Sequence, residues 1–496
     1  MKFLPHTLRA PLLRATLLLT TLGAAFAASA AIPVPEGARV AVAYKTPGQS
    51  EIQGVHTDAF MIPASTQKVL TATAASLFLG LDWQFKTRLL AEAGAMEQAK
   101  ANGGVLNGNL VLEFNGAPDL TRQALINLLH YVRQQGVTQI NGDLLLDVSN
   151  YAGYDRGNGW SWNDLPVCFT APASAVIIDR NCVFAELKAN QVGQIAEPMV
   201  KSGQPITITS EAQVVSLQDY YSGCELEVNL DSGNNYHLTG CIPAQKDKPW
   251  PLSFAVQDPT VWGISITSWA AQKAGLTING KVQSVRHTPA NLVELAHVPS
   301  APLSKLLDRM LKRSDNLIAD SLARALGHLY FKRPATYASG ADAIREILRT
   351  RAGIDLGSAL LADGSGLSAH NLIKASQMLQ VLDFIAQNDA QLKLIDKLPV
   401  AGMSGTLGSR GSVQMPPLVK NVTAKTGTLQ NVSNLAGFMT TASGQRKAFV
   451  VMVNGLTFPP KVRQALKAHR IASPHYKFER AVLEQIYREQ PLQLID

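Results

Sequence analysis

The sequence predicts an α/β (α+β) fold, in which a body of helices and antiparallel strands is split by an inserted β-rich region of one or two small domains. Three observations predict this arrangement. The 496 residues are enough for about three average domains. Helical spacing of apolar residues is clearest near both ends of the chain, whereas the middle consists of short strand-like segments between turn residues. All four cysteines lie in this middle part.

The composition is that of a globular chain. Hydrophobic residues make up 46% and charged residues 17%, and 37 Gly and 26 Pro exclude collagen-like, coiled-coil and disordered chains. The formal net charge is +8, and removal of the first thirty residues would leave 42 basic against 37 acidic side chains, or +5. No run of Lys or Arg is interleaved with aromatic residues, so we expect no nucleic-acid partner.

Residues 1–30 have the pattern of a secretory signal peptide. Basic residues come first, an apolar run covers residues 15–27, and small residues end at Ala30. The apolar run is shorter than the roughly 20 residues of a membrane span. We therefore expect cleavage, export and at most peripheral membrane association, with an uncleaved N-terminal anchor as the alternative.

The first part of the body is expected over residues 31–82. Residues 38–44 alternate in hydrophobicity, which predicts a strand. Residues 66–79 are rich in Ala and Leu and contain no Gly or Pro, which predicts a buried helix that begins at Ser65.

The inserted region is expected over residues 83–251. Residues 124–135 place four apolar side chains on one helical face, and residues 144–148 and 206–209 are predicted strands. Turn residues separate these short segments, and no repeat of fixed period is present.

The four cysteines of the inserted region are Cys168, Cys182, Cys224 and Cys241. They show no C-x-x-C spacing and no histidine at a metal-ligand interval, so we expect disulfides in an oxidising compartment rather than a metal site. Three pairings are open. Short loops close easily, which favours Cys168 with Cys182 and Cys224 with Cys241; four buried thiols are the alternative.

The second part of the body is expected over residues 252–496. Its elements are predicted from apolar spacing and one turn: helices at residues 261–274 and 303–311, a helix from residue 315, a hairpin of strands 435–440 and 448–453, and a helix at 478–490.

Several familiar catalytic and nucleotide-binding motifs are absent from the sequence. It contains no G-x-S-x-G, H-E-x-x-H, P-loop or G-x-G-x-x-G pattern. The one Ser-x-x-Lys in the chain, Ser65 to Lys68, falls where a helix begins, so both side chains project from one face. A neutral Lys68 could take the proton of Ser65 and make it a nucleophile, provided that its pKa lies below the usual 10.4 or so.

Two further triplets complete a set. Ser314-Asp315-Asn316 lies between two predicted helices, where a turn would direct Ser314 and Asn316 into a cleft. Lys425-Thr426-Gly427, followed by Thr428, lies in a β-rich stretch. An edge strand there could pair with an extended peptide, Gly427 would permit its close approach, and Lys425 could lower the pKa of Lys68.

The three motifs in this order resemble the peptidase S13 family of low-molecular-mass penicillin-binding proteins, which are D-alanyl-D-alanine carboxypeptidases and endopeptidases. Ser65 and Ser314 are 249 positions apart, and that family carries one or two extra domains between its first two motifs. Residues 155–160, 179–182 and 362–368 also resemble it. The resemblance implies a serine β-lactamase/transpeptidase-like catalytic domain, split by the inserted region, and a periplasmic location.

The resemblance also implies residue roles. Ser65 is similar to the acylated nucleophile, Lys68 to its general base, and Ser314 to the hydroxyl that relays a proton to the leaving amine. Further residues are implied to bind substrate: Asn316 the amide, Lys425 and Thr426 the terminal carboxylate, Gly427 the approaching backbone, Thr428 with Ser65 the oxyanion, and Asp155 the amine of the diamino acid. The loop at residues 363–368 is expected to shape the cleft.

The implied reaction is hydrolysis of D-Ala-D-Ala in peptidoglycan stem peptides, and of crosslinks, through an acyl-Ser65 intermediate without metal or organic cofactor. β-Lactams are expected to acylate Ser65 and leave slowly, because the chain has no Glu-x-x-Leu-Asn of the kind that drives deacylation in class A β-lactamases. A β-lactamase and a non-catalytic wall-binding or β-lactam-sensing protein are the functional alternatives left open. The sequence also leaves open whether the chain forms a homodimer.

Overall fold

The computed structural model describes residues 31–230, 233–288 and 290–495. The expected signal peptide lies outside these residues. The chain forms a body, in which a central sheet carries helices on both faces, and an insert built on sheets of its own, from Lys86 to Pro299. Among the described residues, no helix is long and apolar enough to cross a bilayer.

The central sheet has five antiparallel strands. In spatial order they are Val422–Leu429, Val432–Thr440, Arg446–Asn454, Arg39–Lys45 and Gln53–Val55. Alternate residues point to opposite faces: Val450 packs in one hydrophobic cluster and Val451 in another. Because Val422–Leu429 comes first in that spatial order, it is an edge strand, and no described strand pairs with its outer side.

Helices cover both faces of the central sheet. The face of Val450 packs against a helical layer that contains Lys68–Leu79 and Ala375–Leu392, and the face of Val451 packs against the C-terminal helix His475–Tyr487. The remaining helices of the body are Leu303–Arg313, Asn316–Phe331, Tyr337–Ala352 and Pro460–Lys467.

The helix Leu303–Arg313 illustrates why these segments are helical. Its five apolar side chains repeat at helical spacing and are fully buried, while Lys305 and Asp308 stay on the outer side. The helix Lys68–Leu79 differs, because it is buried on nearly all sides between its neighbours. Its small Ala and Thr side chains permit that close packing.

The insert has two lobes. The first is a five-stranded sheet, in the order Val282–Val285, Leu144–Asp147, Leu110–Glu113, Lys86–Glu92 and Leu292–Pro299, with helices Arg122–Gln134 and Pro259–Lys273 packed on it. The second has a three-stranded sheet and a four-stranded sheet around a small core. The strands of the second lobe are Cys182–Lys188, Glu197–Val200, Thr207–Ser210, Gln213–Val215, Leu226–Leu230, Asn235–Pro243 and Trp250–Ala255.

Short elements complete the chain. The two-residue strands are Ile32–Pro33, Phe60–Met61, Val105–Leu106, Gln139–Ile140, Thr277–Ile278, Ile373–Lys374 and Leu494–Ile495, and the short helices are Ala95–Ala101 and Leu217–Tyr221. The 3-10 turns are Ala64–Gln67, Trp162–Asp164, Cys168–Thr170, Asp179–Asn181, Ile395–Lys397 and Gly405–Leu407.

The strand pairing corrects the boundary expected between residues 251 and 252. Leu292–Pro299 pairs antiparallel with Lys86–Glu92, and Val282–Val285 pairs parallel with Leu144–Asp147. The helix predicted at residues 261–274 therefore belongs to the insert and not to the body. The first lobe is also a mixed α/β unit and not only β-rich, because two helices cover its sheet.

The chain leaves and re-enters the body at adjacent points. The backbone N–H of Ser300 donates to Phe85 O at 2.9 Å, and that of Leu303 donates to Trp83 O at 2.8 Å. Both disulfides lie inside the insert: Cys168 pairs with Cys182, and Cys224 pairs with Cys241.

Candidate active site

Ser65 lies in a rigid turn at the start of the helix Lys68–Leu79. The 3-10 turn Ala64–Gln67 precedes that helix, and Ala64 has a left-handed backbone with φ +47°. Asn434 of the central sheet donates its amide hydrogens to Ile62 O at 2.8 Å and Pro63 O at 2.9 Å. The half-buried Ser65 side chain is therefore presented by backbone that the central sheet holds in place.

Lys68 is the centre of the site. Its Nζ lies 2.9 Å from Ser65 Oγ, 2.6 Å from Asn316 Oδ1 and 2.6 Å from the backbone oxygen of Ser365. The side chain is fully buried. Three oxygen atoms thus surround one amine that solvent does not reach.

Burial lowers the pKa of Lys68 to about 8, against the opposing effect of the carboxylates of Asp320, Asp363 and Asp315. Removing an ammonium group from water disfavours its charged form. The sequence left burial and a neighbouring cation such as Lys425 open as causes of this shift, and burial is the cause that lowers the pKa of Lys68 in the structure.

The second motif is a turn between two helices. Ser314 ends the helix Leu303–Arg313 with a left-handed φ of +58°, and Asp315 caps the next helix by accepting the backbone N–H of Ile318 at 3.2 Å. Asn316 begins that helix, and its amide oxygen faces Lys68 while its Nδ2 donates to Phe169 O at 2.9 Å. The turn therefore directs Ser314 and Asn316 toward the first motif.

The third motif lies on the edge strand of the central sheet. Lys425 Nζ donates to Ser314 Oγ at 2.9 Å and to Thr426 O at 2.8 Å. Thr426 Oγ1 donates to Thr406 Oγ1 at 2.8 Å, and Thr428 is exposed at the end of the strand. The three motifs thus meet, through side chains that hydrogen bond directly.

Lys425 is also fully buried. Burial lowers the pKa of its amine well below the ordinary value, and the nearby cations Lys68 and Arg410 lower it further. Arg410 is held by Glu479, which accepts from its guanidinium at 2.7 Å and 2.5 Å.

Gly427 has a packing role that the sequence did not predict. A Cβ at this position would lie 2.7 Å from Pro63 O and 3.1 Å from the backbone nitrogen of Thr66. Glycine therefore lets the edge strand abut the turn that carries Ser65. The close approach is within the protein.

The sequence did not predict how the loop at residues 363–368 contributes to the surroundings of Lys68. Its Ser365 carbonyl is one of the three oxygens around Lys68. The buried Asp320 holds this loop, because its Oδ1 accepts the N–H groups of Gly364 and Ser365, both at 2.9 Å. Asp320 is four residues after Asn316, one helical turn away, and that spacing was the available signal.

Asp155 lies apart from the three motifs. Its carboxylate is 3.4 Å from the buried guanidinium of Arg324, and its backbone oxygen accepts the hydroxyl of Tyr337 at 3.2 Å. Among the described residues, no hydrogen bond or ion pair joins Asp155 to the residues of the three motifs. Burial raises the pKa of its carboxyl, although Arg324 opposes that effect.

Comparison with known families decides the identity of the chain. A family model described as the D-Ala-D-Ala carboxypeptidase 3 (S13) family matches residues 23–472. The chain belongs to this S13 family. The resemblance found in the three motifs is confirmed, and the S13 protein is an enzyme of the peptidase class.

Curated relatives agree with the S13 assignment. The chain is 42% identical over 457 residues to the D-alanyl-D-alanine carboxypeptidase DacB of Haemophilus influenzae, with 92% of each chain covered. It is 28% identical over 430 residues to a D-alanyl-D-alanine carboxypeptidase of an Actinomadura species, with 83% of this chain and 77% of that one covered.

Solved structures confirm the α/β fold class of the S13 protein. The crystal structure of penicillin binding protein 4 from Haemophilus influenzae matches with a TM-score of 0.83 and 42% identity, covering 92% of this chain and 98% of that chain. The same Haemophilus protein in complex with a novel β-lactam matches with a TM-score of 0.79.

Proposed function

We propose that this S13 protein is a serine-type D-Ala-D-Ala carboxypeptidase of the periplasm, which cleaves the terminal D-Ala from peptidoglycan stem peptides through an acyl-Ser65 intermediate. The observation that carries the proposal is the buried amine of Lys68 at 2.9 Å from Ser65 Oγ. Family membership and the Haemophilus and Actinomadura carboxypeptidases support the substrate class.

The surroundings of Lys68 favour its action as a general base. A neutral amine has two N–H groups and one lone pair. Asn316 Oδ1 and Ser365 O face Lys68 only as acceptors, so the two N–H groups point to them and the lone pair points to Ser65 Oγ. The Ser65 hydroxyl then donates to the lone pair, which is the geometry that proton abstraction needs.

Acylation follows from these contacts. Ser65 Oγ bonds to the carbonyl carbon of the penultimate D-Ala while its proton passes to Lys68. The bond to the nitrogen of the terminal D-Ala then breaks, and the Ser314 hydroxyl relays the proton from Lys68 to the leaving amine. Lys425, which donates to Ser314 Oγ, holds that relay in place. Water hydrolyses the ester and restores Ser65.

The backbone N–H groups of Ser65 and Thr428 are proposed to stabilise the oxyanion of the tetrahedral intermediate. Thr428 lies opposite Ser433 in the register of the central sheet, one residue beyond Gly427, which abuts the Ser65 turn. The two nitrogens thus belong to neighbouring pieces of backbone that the sheet holds rigidly.

The substrate carboxylate is proposed to bind at Lys425 and Thr426. A carboxylate beside the Lys425 amine would favour its charged form and so counteract the effect of burial. Residues 399 and 401 hydrogen bond to the edge strand at Ala424 and Val422, and the part of the strand beyond Ala424 offers backbone groups to an extended stem peptide. Asn316 is proposed to contact the substrate amide. For Asp155, whose carboxylate pairs with Arg324, we keep binding of the diamino acid only as a proposal.

Incubation with a fluorescent penicillin tests the proposed nucleophile. We expect label on the peptide that contains Ser65, no label in Ser65→Ala, and release of D-Ala from diacetyl-Lys-D-Ala-D-Ala. Label that persists in Ser65→Ala would falsify the assignment, and absence of D-Ala release would support the non-catalytic alternative. Rapid turnover of a chromogenic cephalosporin would support a β-lactamase instead.

Digestion of crosslinked muropeptides tests the proposed endopeptidase activity. An endopeptidase would convert dimers to monomers, whereas a strict carboxypeptidase would only remove terminal D-Ala. The Ser65→Ala variant is the control for both products.

A further inference from the structure

A segment of the insert that is closed into a loop by a disulfide contacts the second motif at two points. The segment from Cys168 to Cys182, here called the clasp, is closed by the disulfide between its end residues. Near its start, Phe169 O accepts the hydrogen bond from Asn316 Nδ2 at 2.9 Å. Near its end, Arg180 Nη2 donates to both carboxylate oxygens of Asp315, at 2.9 Å and 2.7 Å.

The contact at Phe169 determines which way the Asn316 amide faces. A carbonyl oxygen can only accept, so it selects Nδ2 and leaves Oδ1 directed at Lys68, 2.6 Å away. A rotated amide would present hydrogens to the Lys68 amine. The lone pair of a neutral Lys68 would then turn toward Asn316 and away from Ser65.

The contact at Arg180 fixes the residue between Ser314 and Asn316. The Asp315 side chain is only 6% exposed and also accepts from Arg309 Nε at 2.9 Å. Arg180 Nη2 reaches both carboxylate oxygens while Arg309 Nε reaches one of them, so the two guanidinium groups restrict the orientation of the carboxylate as well as its position. Holding Asp315 therefore holds the backbone of both neighbouring motif residues.

The turn that aims Arg180 has an uncommon backbone. Asp179, Arg180 and Asn181 have left-handed φ angles of +49°, +64° and +48°, and none is glycine. The fully buried Asn181 secures the turn, because its Nδ2 donates to Pro172 O at 3.1 Å and to Val176 O at 3.0 Å. Such conformations persist where surrounding contacts impose them, and they concentrate at functional sites.

An apolar contact adds a third attachment between the clasp and the second motif. Leu317, the residue after Asn316, packs in a small buried cluster with Ala171, Ala173 and Ile177 of the clasp. The start of the helix Asn316–Phe331 is thus attached to the clasp by a carbonyl, a guanidinium and an apolar cluster.

We propose that the clasp is a positioning element for acyl transfer, in which Phe169 O orients the amide of Asn316 and Arg180 holds Asp315, so that the insert completes the geometry around Lys68. The inference rests on the proposed function of the three motifs. Neither Phe169 nor Arg180 reacts with substrate. They act through the second motif.

Opening the clasp tests this inference. Cys168→Ala/Cys182→Ala removes the disulfide, and Arg180→Lys keeps the charge but removes the planar guanidinium whose Nη2 reaches both oxygens of Asp315. We expect Ser65 acylation by a fluorescent penicillin to slow by roughly 10- to 100-fold in the double variant, as for small misplacements of catalytic groups. The matched control is Cys224→Ala/Cys241→Ala, which removes the other disulfide of the insert and should leave the rate within about twofold of the original.

A double-mutant cycle separates positioning from general destabilisation. In an Asn316→Ala background, opening the clasp should slow acylation much less than in the original protein, because the amide that it orients is already gone. An equal slowing in both backgrounds would overturn the inference. The Arg180→Lys variant provides the same comparison if the cysteine variant fails to fold.

Failure of the proposed function and failure of the clasp proposal give different results. If the original protein is not labelled at Ser65, the proposed function is wrong. If it is labelled, and the clasp variants are labelled at the same rate, the function stands and the clasp proposal is wrong.

Discussion

Lys425 Nζ lies 2.9 Å from Ser314 Oγ, although 111 residues separate the two along the chain. The pair joins the edge strand of the central sheet to the turn between two helices. Ser314 thereby receives a hydrogen bond from one buried lysine, while the neighbouring Asn316 accepts one from the other, Lys68. The two lysines approach the second motif from different elements, and each has its pKa lowered chiefly by burial.

The pH dependence of acylation should follow Lys68. Only the neutral amine accepts the Ser65 proton, so the rate of penicillin acylation should rise with pH through about 8 and then level off. Below that pH the rate should fall about tenfold for each pH unit. Stopped reactions with fluorescent penicillin from pH 5 to pH 10 measure this. Lys68→Arg, which stays charged, should give a low rate without the rise, and a rate that falls between pH 7 and pH 9 would contradict the role of Lys68.

Asp320→Asn should be tolerated where Asp320→Ala is not. Burial and the neighbouring Asp363 raise the pKa of Asp320 from its ordinary 3.8 to about 8, so its carboxyl is largely protonated at neutral pH and resembles an amide. Alanine leaves the N–H groups of Gly364 and Ser365 without their acceptor, which should cost about 2 kcal/mol of unfolding free energy. Denaturant unfolding at pH 7 measures the difference.

The same residue predicts a trend of stability with pH. Because the folded pKa of Asp320 lies above its unfolded value, its stabilising contribution is full below about pH 4 and is lost as the pH rises through about 8. The free energy of unfolding of Asp320→Asn, relative to the original protein, should therefore improve between pH 5 and pH 8. If Asp320→Asn and Asp320→Ala lower the free energy of unfolding equally at every pH, the carboxyl of Asp320 is ionised in the folded protein.

Gly427→Ala should impair acylation. The added Cβ would meet Pro63 O at 2.7 Å and push the edge strand away from the Ser65 turn. We expect a loss of roughly 10- to 100-fold in the penicillin acylation rate. The matched control is Gly108→Ala in the insert, where an added Cβ meets nothing within 4 Å. Equal rates for the two variants would show that the strand has room to adapt.

Thr426→Val should weaken binding of peptides with a free C-terminal carboxylate. The variant keeps the shape of the side chain but removes the hydroxyl, which now bonds to Thr406 at 2.8 Å. Loss of a hydrogen bond to a charged group should raise KM for diacetyl-Lys-D-Ala-D-Ala by roughly 10- to 100-fold. Thr426→Ser, which retains the hydroxyl, should recover most of the loss; a KM unchanged in the valine variant would remove Thr426 from carboxylate binding.

Glu479→Gln should destabilise the fold. Glu479 and Arg410 are both almost fully buried and share two hydrogen bonds, so loss of the carboxylate leaves a buried cation without its partner. We expect a cost of about 3 to 5 kcal/mol in unfolding free energy. The control is Glu346→Gln, in the exposed pair with Arg349, which should change stability little. Similar melting temperatures for both variants would contradict the prediction.

The sequence was sufficient to predict those elements and motifs whose signal lies within a short run of residues. The helix Leu303–Arg313 was predictable from apolar spacing, and the hairpin of residues 435–453 from the turn between its two strands. The three motifs were predictable because each is a short run of residues whose chemistry depends on its own side chains. Their order, together with the long gap between Ser65 and Ser314, indicated the family that the comparison confirms.

Contacts between distant segments were not predictable. Leu292–Pro299 pairs with a strand some two hundred positions earlier, so the end of the insert was placed too early. The Ser365 oxygen faces Lys68 because Asp320, on another element, holds its loop. The sequence left open whether burial or a neighbouring cation lowers the pKa of Lys68, because burial depends on the packing of the whole body.

The adjacent exit and entry points of the insert have a consequence for folding. Phe85 and Ser300 are 215 positions apart, yet the backbone N–H of Phe85 donates to Ser300 Oγ at 3.0 Å. Folding of the insert already includes the entropic cost of closing that long loop. The two parts of the body then meet as if only a short linker joined them. The second and third motifs then reach the Ser65 turn almost as if they were close to it in the sequence.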